Sequence, residues 1–98
     1  MTRDGFRQAV FSRDHNMCVI CGEQAVDAHH IMDRKLWSDG GYYLDNGASL
    51  CEKHHWDAEL SKILPDELRK ILKVECLLPP QLDPALSYDK WGKEISSQ

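Results

Sequence analysis

Apolar side chains recur with the period of an α-helix in three stretches of the chain. These stretches are residues 2–14, residues 52–64, which are ended by Pro65, and residues 66–73. The apolar positions that define the inner faces are, in chain order, Phe6, Ala9, Val10 and Phe11; Trp56, Leu60, Ile63 and Leu64; and Leu68, Ile71 and Leu72. Spacings of three and four residues place such side chains on one face of a helix. The pattern therefore predicts three short amphipathic helices.

The segment that follows the first helix has the character of a strand. Residues 24–31 are short and carry apolar side chains at three positions, which favours a strand. Side chains alternate along a strand, so we expect His29 and His30 on opposite faces. A second strand or turn is expected from Ser49 onwards. The two segments are the candidates for a small sheet.

Two further segments predict irregular structure. Residues 33–46 contain adjacent glycines and lead into the turn sequence Asp-Asn-Gly, so we expect a long loop, which in a small domain is usually functional. Residues 79–98 contain three of the four prolines, and we expect an extended tail that packs Trp91 onto the body. The pattern as a whole predicts an α+β fold, with residues 1–78 as the domain.

Composition narrows the class of protein. The 98 residues are enough for one domain with a modest core, which a bound metal ion would help to hold. Lys and Arg number 12 against 16 Asp and Glu, a net charge of −4, so the chain lacks a basic field that attracts nucleic acid from a distance. No apolar stretch is long enough to cross a membrane. The cysteine spacing and the lack of an apolar leader predict a reducing, cytoplasmic setting.

Two pairs of candidate zinc ligands have the same spacing. They are Cys18 with Cys21, and Cys51 with His54. Zinc prefers thiolate and imidazole ligands in a tetrahedron, and a gap of two residues lets one turn present two of them without strain. The sequence therefore predicts a structural Zn²⁺ site. The alternative is a set of buried free thiols beside a surface histidine. Cys76 has no partner at this spacing and is expected in the core.

A second set of residues resembles a known family. The segments are AHHI at 28–31, DNG at 45–47 and LCEKHH at 50–55, preceded by CVICG at 18–22. Over roughly residues 13–60 the chain resembles the HNH endonucleases, whose core is the ββα-metal (His-Me) finger. Zinc-stapled members usually read Cys-x-x-Cys-His in the last segment, whereas His54 replaces the second cysteine here. The resemblance implies a finger core at about residues 13–64 with flanking helices.

The resemblance also implies roles for single residues. His29 and His55 would bind a catalytic divalent ion, with Glu59 at the position of a third ligand in some relatives, and His30 would be the general base. Asn46 resembles the asparagine that pins the loop and so orients the base indirectly. Imidazole and carboxylate ligands suit Mg²⁺, Mn²⁺, Ni²⁺ or Zn²⁺. Each residue also has a structural interpretation when it is taken alone. One strand histidine could be buried and hydrogen-bonded, Asn46 could simply form a turn, and His55 with Glu59 could be an exposed pair on a helix.

The implied activity is metal-dependent hydrolysis of DNA phosphodiester bonds. This reaction needs a cation to offset charge at the phosphate and a base to take a proton from water. Arg13 and Arg34 are the candidate phosphate-binding residues. Two alternatives stand beside it: a zinc-stapled module that binds nucleic acid or protein without catalysis, and a nuclease subunit whose tail, residues 79–98, docks a protein partner. These residues do not distinguish RNA from DNA as the substrate.

Overall fold

The computed structural model describes residues 1–95 and has the predicted α+β architecture. Its regular elements are, in chain order, α1 (Arg3–Arg13), β1 (Asp27–His30), β2 (Gly47–Leu50), α2 (Glu52–Glu59) and α3 (Pro65–Leu72). Short 3₁₀ turns at Arg34–Leu36 and Leu44–Asn46 lie within the predicted long loop. Residues 96–98 of the predicted tail lie outside the described residues. No helix in the described part of the chain is long and apolar enough to span a membrane.

The first predicted helix is confirmed, and it lies against the sheet. Thr2 caps its N-terminus, because Thr2 Oγ1 accepts a hydrogen bond from the Gly5 N–H at 3.0 Å. Phe6 and Val10 are four residues apart and buried, so they form the inner face. A Cβ at Gly47 would overlap both side chains. Glycine at the start of β2 therefore lets α1 approach the sheet closely.

β1 and β2 form the two-stranded antiparallel sheet of the described chain. The register pairs His29 with Ala48 and His30 with Gly47, so the two histidines lie on opposite faces, as predicted. β1 is shorter than the strand predicted over residues 24–31, and β2 begins two residues earlier than predicted. The buried core beside the sheet consists of Cys18, Ile31, Ala48, Leu50, Cys51, Ala58 and Leu68. β1 carries His29 and His30, and β2 leads directly into Cys51, so the sheet places candidate ligands next to the core.

The second helix is shorter than the pattern predicts. α2 ends at Glu59, and the chain turns at Ser61, whose φ of 61° is left-handed. The predicted helix up to Pro65 is wrong, because Pro65 begins α3 instead. Ala58 lies on the buried side of α2, whereas Trp56 and Leu60 are not covered. These side chains are 56% and 64% exposed, so their predicted place in the core is also wrong.

α3 confirms the third predicted helix over nearly the same residues. Leu68 is buried, whereas Ile71, which the pattern places on the inner face, is exposed. Lys73 ends the helix with a left-handed φ of 57°. Cys76 follows in an irregular segment and is exposed, so the prediction that it lies in the core is wrong.

The tail folds back across the body of the molecule. The Asp33 N–H donates to the Lys90 carbonyl at 2.9 Å, which joins the tail to the long loop. Trp91 Nε1 donates to the Glu59 carbonyl at 3.2 Å, so Trp91 lies on the body as expected, although its side chain is exposed. The tail thus contacts both the long loop and α2. The domain boundary at residue 78 and a protein partner for the tail stay predictions.

Candidate functional site

Four sulfur and nitrogen donors meet between residues 18–22 and the start of α2. They belong to Cys18, Cys21, Cys51 and His54, and their ligand atoms all lie within 4.8 Å of one another. The Cys21 and Cys51 sulfurs are 3.7 Å apart, and His54 Nδ1 lies 3.3 Å from Cys51 Sγ and 3.6 Å from Cys18 Sγ. Sulfur and nitrogen ligands on one tetrahedral zinc ion are about 3.3–3.8 Å apart. The predicted set is therefore close enough to hold a metal ion and is consistent with a structural zinc.

The ionisation of the thiols favours a cation in this cluster. Burial opposes ionisation of Cys18, but backbone N–H groups, including those of Cys51 and Cys21, together with His54, lower the pKa of Cys18 to about 6. The Glu23 N–H favours a thiolate at Cys21, yet desolvation and the sulfurs of Cys18 and Cys51 outweigh it and raise the pKa of Cys21. One thiolate thus suppresses ionisation of its neighbour. A divalent ion would remove that repulsion.

A second cluster joins β1 to α2. Its members are Asp27, His29 and His55, whose ligand atoms also lie within 4.8 Å of one another. His29 is 1% exposed, and among residues 1–95 its Nδ1 has no hydrogen-bond partner. Burial lowers the pKa of His29 well below its usual range, so the ring is neutral and can offer a lone pair. A buried nitrogen without a partner is costly, so this cluster fits a cation that completes it.

Glu59, the predicted third ligand, lies beside the same imidazoles. Its Oε1 is 3.6 Å from His29 Nδ1 and 3.3 Å from His55 Nε2. The same oxygen accepts a hydrogen bond from Lys90 Nζ at 2.5 Å. Asp27 Oδ2 is 3.2 Å from His55 Nε2. Two carboxylates therefore border the imidazoles, and one of them already holds an ammonium group.

His30, on the other face of β1, lines a cleft of about 370 Å³ that Asp27 also lines. Its Nε2 lies 3.2 Å from the Gly40 carbonyl oxygen. Because a carbonyl can only accept, Nε2 is the donor and Nδ1 is the unprotonated acceptor. Burial lowers the pKa of His30, although the bond to Gly40 works in the opposite direction. The ring also stacks on Phe6 at a centroid distance of 4.6 Å. His30 is thus a neutral, oriented imidazole beside the cleft.

Asn46 is buried and holds the loop that contacts His30. Its Oδ1 accepts from the Met32 N–H at 2.9 Å, and its Nδ2 donates to the carbonyls of Met32 and Gly41 at 3.1 Å each. Gly41 has a φ of 66°, a conformation in which most side chains would be strained. Asn46 therefore fixes the backbone next to the Gly40 carbonyl that His30 contacts.

The two predicted phosphate-binding arginines lie in different environments. Arg34 is exposed and lines the cleft. Arg13 makes two hydrogen bonds with the Asp14 carboxylate and donates to the carbonyls of Leu44 and Gly47 at 2.9 and 2.7 Å. Four of its five N–H groups are therefore used within the chain. A phosphate contact by Arg13 stays a prediction, and this geometry favours a role in holding the fold.

Comparisons of the chain with protein-family models, with curated proteins and with solved structures give no match. The resemblance to the HNH endonucleases therefore stays a prediction.

Two residues at the second cluster were not predicted from the sequence: Asp27, which is a member, and Lys90, which bonds to the neighbouring Glu59. Asp27 stands two positions before His29, so strand alternation places both on one face, and the sequence did contain that signal. Lys90 arrives from the tail, and no local pattern indicates its position.

Proposed function

We propose that this chain is a metal-dependent HNH endonuclease in which β1, β2 and α2 form the ββα-metal finger. The order of these elements supports the proposal, as do the residues that the resemblance names on them and on the connecting loop, which are His29, His30, Asn46 and His55. The observation that carries it is the unpartnered Nδ1 of His29 within the described chain, on the strand whose next residue is the neutral His30. Phosphodiester hydrolysis requires an incomplete ligand set beside a base.

In this proposal the Cys18, Cys21, Cys51 and His54 cluster holds a structural Zn²⁺ and takes no part in the reaction. Four protein donors fill a tetrahedral zinc and leave no position for a substrate. Two of the sulfurs belong to core residues, because Cys18 and Cys51 are buried. The ion would therefore join the knuckle at residues 18–22 to the start of α2, and so hold α2 in place.

The second cluster would hold the catalytic divalent ion through His29, His55 and Asp27. A divalent ion there would offset negative charge on the scissile phosphate and on the leaving oxygen. Two imidazoles and one carboxylate suit Mn²⁺, Ni²⁺, Zn²⁺ or Mg²⁺. Burial of His29 fixes its ring, and the spacing of four residues keeps His55 and Glu59 on one face of α2. The chain's own residues thus supply an ordered but incomplete ligand set.

His30 would act as the general base and accept a proton from the attacking water at Nδ1. The Gly40 carbonyl selects the tautomer that leaves this nitrogen free, and stacking on Phe6 fixes the plane of the ring. Asn46 positions the loop that carries the Gly40 carbonyl. Since burial lowers the pKa of His30, the ring is ready to accept a proton near neutral pH.

DNA is the proposed substrate, and local cations would contact its phosphates. The cleft is lined by Arg3, Arg7 and Arg34 beside His30, although the whole chain carries a net charge of −4. Binding by a few local cations is weak and depends strongly on salt concentration. Contacts to phosphates carry no direct sequence information, so we expect little sequence preference.

A plasmid cleavage assay tests this proposal. Zinc-loaded protein should cleave plasmid in the presence of Mn²⁺, Mg²⁺ or Ni²⁺. His30→Ala should lower the rate by about 10²–10⁴-fold, because it removes the base. The matched control is His15→Asn at an exposed histidine whose φ is 57°, a conformation that asparagine tolerates. This control should cleave at the wild-type rate. Folded wild-type protein that cleaves with none of these ions would refute the proposal.

The alternative is a zinc-stapled module that binds nucleic acid or a protein without catalysis. The net charge of −4 favours it, because the chain has no long-range attraction for DNA of its own. On this alternative the folded protein cleaves nothing, and His30→Ala leaves its binding unchanged. Cleavage that is lost in His30→Ala would exclude it.

A further inference from the structure

The tail brings a lysine into the cluster that is proposed above to bind the catalytic ion. Lys90 is 6% exposed, and its Nζ donates to Glu59 Oε1 at 2.5 Å. Hydrogen bonds hold this part of the tail on both sides: the Asp33 N–H donates to the Lys90 carbonyl at 2.9 Å, and Trp91 Nε1 donates to the Glu59 carbonyl at 3.2 Å. The fold itself therefore places the ammonium group beside Glu59.

Two carboxylates compete for an ion held by the imidazoles. Asp27 Oδ2 lies 3.2 Å from His55 Nε2, and Glu59 Oε1 lies 3.3 Å from the same nitrogen. Two ligands that each lie about 2.0–2.2 Å from one ion can be separated by either distance. Glu59 Oε1 also lies 3.6 Å from His29 Nδ1, whereas Asp27 lies only within 4.8 Å of the His29 ligand atom, so the distances alone would favour Glu59.

The charged partners of the two carboxylates do differ. The other oxygen of Asp27, Oδ1, lies 3.7 Å from Arg7 Nη1 in a pair whose side chains are largely open to water, so the pairing is weak. Glu59 Oε1 is bound to Lys90, which is buried, and little water screens this pair. An ion that used Glu59 Oε1 would therefore lie against an ammonium group and be repelled by it. Asp27 has no such obstacle.

We propose that Lys90 is a positioning residue that keeps Glu59 out of the ligand set, so that Asp27, His29 and His55 hold the ion. The inference rests on the proposed function, because it concerns the same site. With Glu59 neutralised, one carboxylate charge faces the ion instead of two. An ion that is less neutralised by its ligands retains more positive charge for a phosphate oxygen. The tail is therefore a part of the site.

Two charge-balanced double variants test this assignment through Mn²⁺ binding to zinc-saturated protein, measured by electron paramagnetic resonance. Each variant removes one carboxylate together with its own cationic partner, so the net charge of the site is unchanged. Glu59→Gln with Lys90→Met should bind Mn²⁺ within about threefold of the wild-type dissociation constant. Asp27→Asn with Arg7→Gln should bind at least about tenfold more weakly, because a ligand is lost. The reverse pattern would overturn the inference.

Single variants of Lys90 test its own part. Lys90→Met should bind Mn²⁺ roughly tenfold more tightly, because Glu59 becomes free to join the ligands. Lys90→Arg keeps the charge and should bind like wild type. Unchanged affinity in folded Lys90→Met would refute the role of Lys90. If loss of the partner of Glu59 prevents this variant from folding, the double variant with Glu59→Gln replaces the pair by neutral side chains of similar size, and weaker Mn²⁺ binding by it would show that Glu59 is a ligand in the wild type and refute the inference.

The wild-type protein and His55→Ala separate this inference from the proposed function. Wild-type protein should bind an Mn²⁺ ion that His55→Ala does not bind, with zinc content and melting temperature equal in both. If the wild type binds no such ion, the catalytic site of the proposed function is absent, and the inference fails with it. If it does bind the ion and the two double variants reverse, the inference alone fails.

Discussion

Two neighbouring histidines of α2 belong to two different clusters. His54 faces the sulfurs of Cys18 and Cys51, whereas His55 faces Asp27 and His29. Successive residues are about 100° apart around a helix, so one turn of α2 contributes to both clusters. The sulfur cluster contains four donors at the spacing of a closed tetrahedral site, whereas the imidazole cluster includes a buried nitrogen that has no partner within residues 1–95. A complete donor set stabilises the fold, and an incomplete one is available for a ligand.

Removal of zinc should have the largest effect. Structural zinc contributes about 10–16 kcal/mol of apparent binding free energy in small domains, which is comparable to the whole stability of a domain of this size. Cys51→Ser, or a strong chelator, should therefore unfold the protein at room temperature, as measured by far-UV circular dichroism. Cys76→Ser is the matched control, because Cys76 is exposed and outside the cluster. A cooperative melting transition that persists without zinc would show that the sulfur cluster does not hold the fold.

Substitution of the two adjacent histidines separates the clusters most directly. His54→Ala should lower the melting temperature by more than about 10 °C and reduce zinc content, because about 3 kcal/mol or more of stability is lost with a ligand. His55→Ala should keep the zinc and the fold but lose Mn²⁺ binding and plasmid cleavage. Zinc content, melting temperature and Mn²⁺ affinity of the two variants provide the measurement. Loss of zinc in His55→Ala would contradict the assignment of the two histidines.

Substitution of Asn46 tests whether this one side chain holds the loop that contacts His30. Asn46→Ala leaves the Met32 N–H and the carbonyls of Met32 and Gly41 without their partner. We expect a loss of about 2–4 kcal/mol in the free energy of unfolding, together with slower cleavage, because the loop that contacts His30 loosens. Asp45→Ala, at the exposed neighbouring position, should change the stability little. Equal stability of the two variants in urea titrations would refute this role of Asn46.

Local spacing predicted the parts of the molecule that depend on neighbours in sequence. α1 follows from the spacing of Phe6 and Val10, and the candidate zinc ligands follow from two gaps of two residues. The end of α2 was missed, because Pro65 can either terminate a long helix or begin the next one, and the sequence pattern does not distinguish these two possibilities. Trp56 is exposed because α2 packs on the core through Ala58 instead.

Residues that depend on distant partners could not be predicted in the same way. Lys90 contacts Glu59 across 31 positions of sequence, and its burial depends on how the whole tail folds back. Asp27 is different, because it stands at strand spacing from His29, and this spacing alone makes it a candidate ligand. The family resemblance instead indicates Glu59, which stands at helical spacing from His55, and assigns no role to Asp27.

Arg13 and Arg34 allow the same comparison outside the metal clusters, between a side chain that holds the fold and one that is free to contact a substrate. Arg13 bonds to carbonyls 31 and 34 positions away, so Arg13→Ala should cost about 2–3 kcal/mol of stability, because partly buried acceptors lose a charged donor. Arg34 is exposed, so Arg34→Ala should leave the stability unchanged. It should weaken DNA binding and reduce the magnitude of the slope of the logarithm of the binding constant against the logarithm of salt concentration by about one. Thermal melting and salt-dependent binding of both variants provide the measurement. If folded Arg13→Ala shows the same loss of salt dependence, Arg13 binds phosphate as the sequence predicts, and the scaffold role inferred from its four hydrogen bonds is wrong.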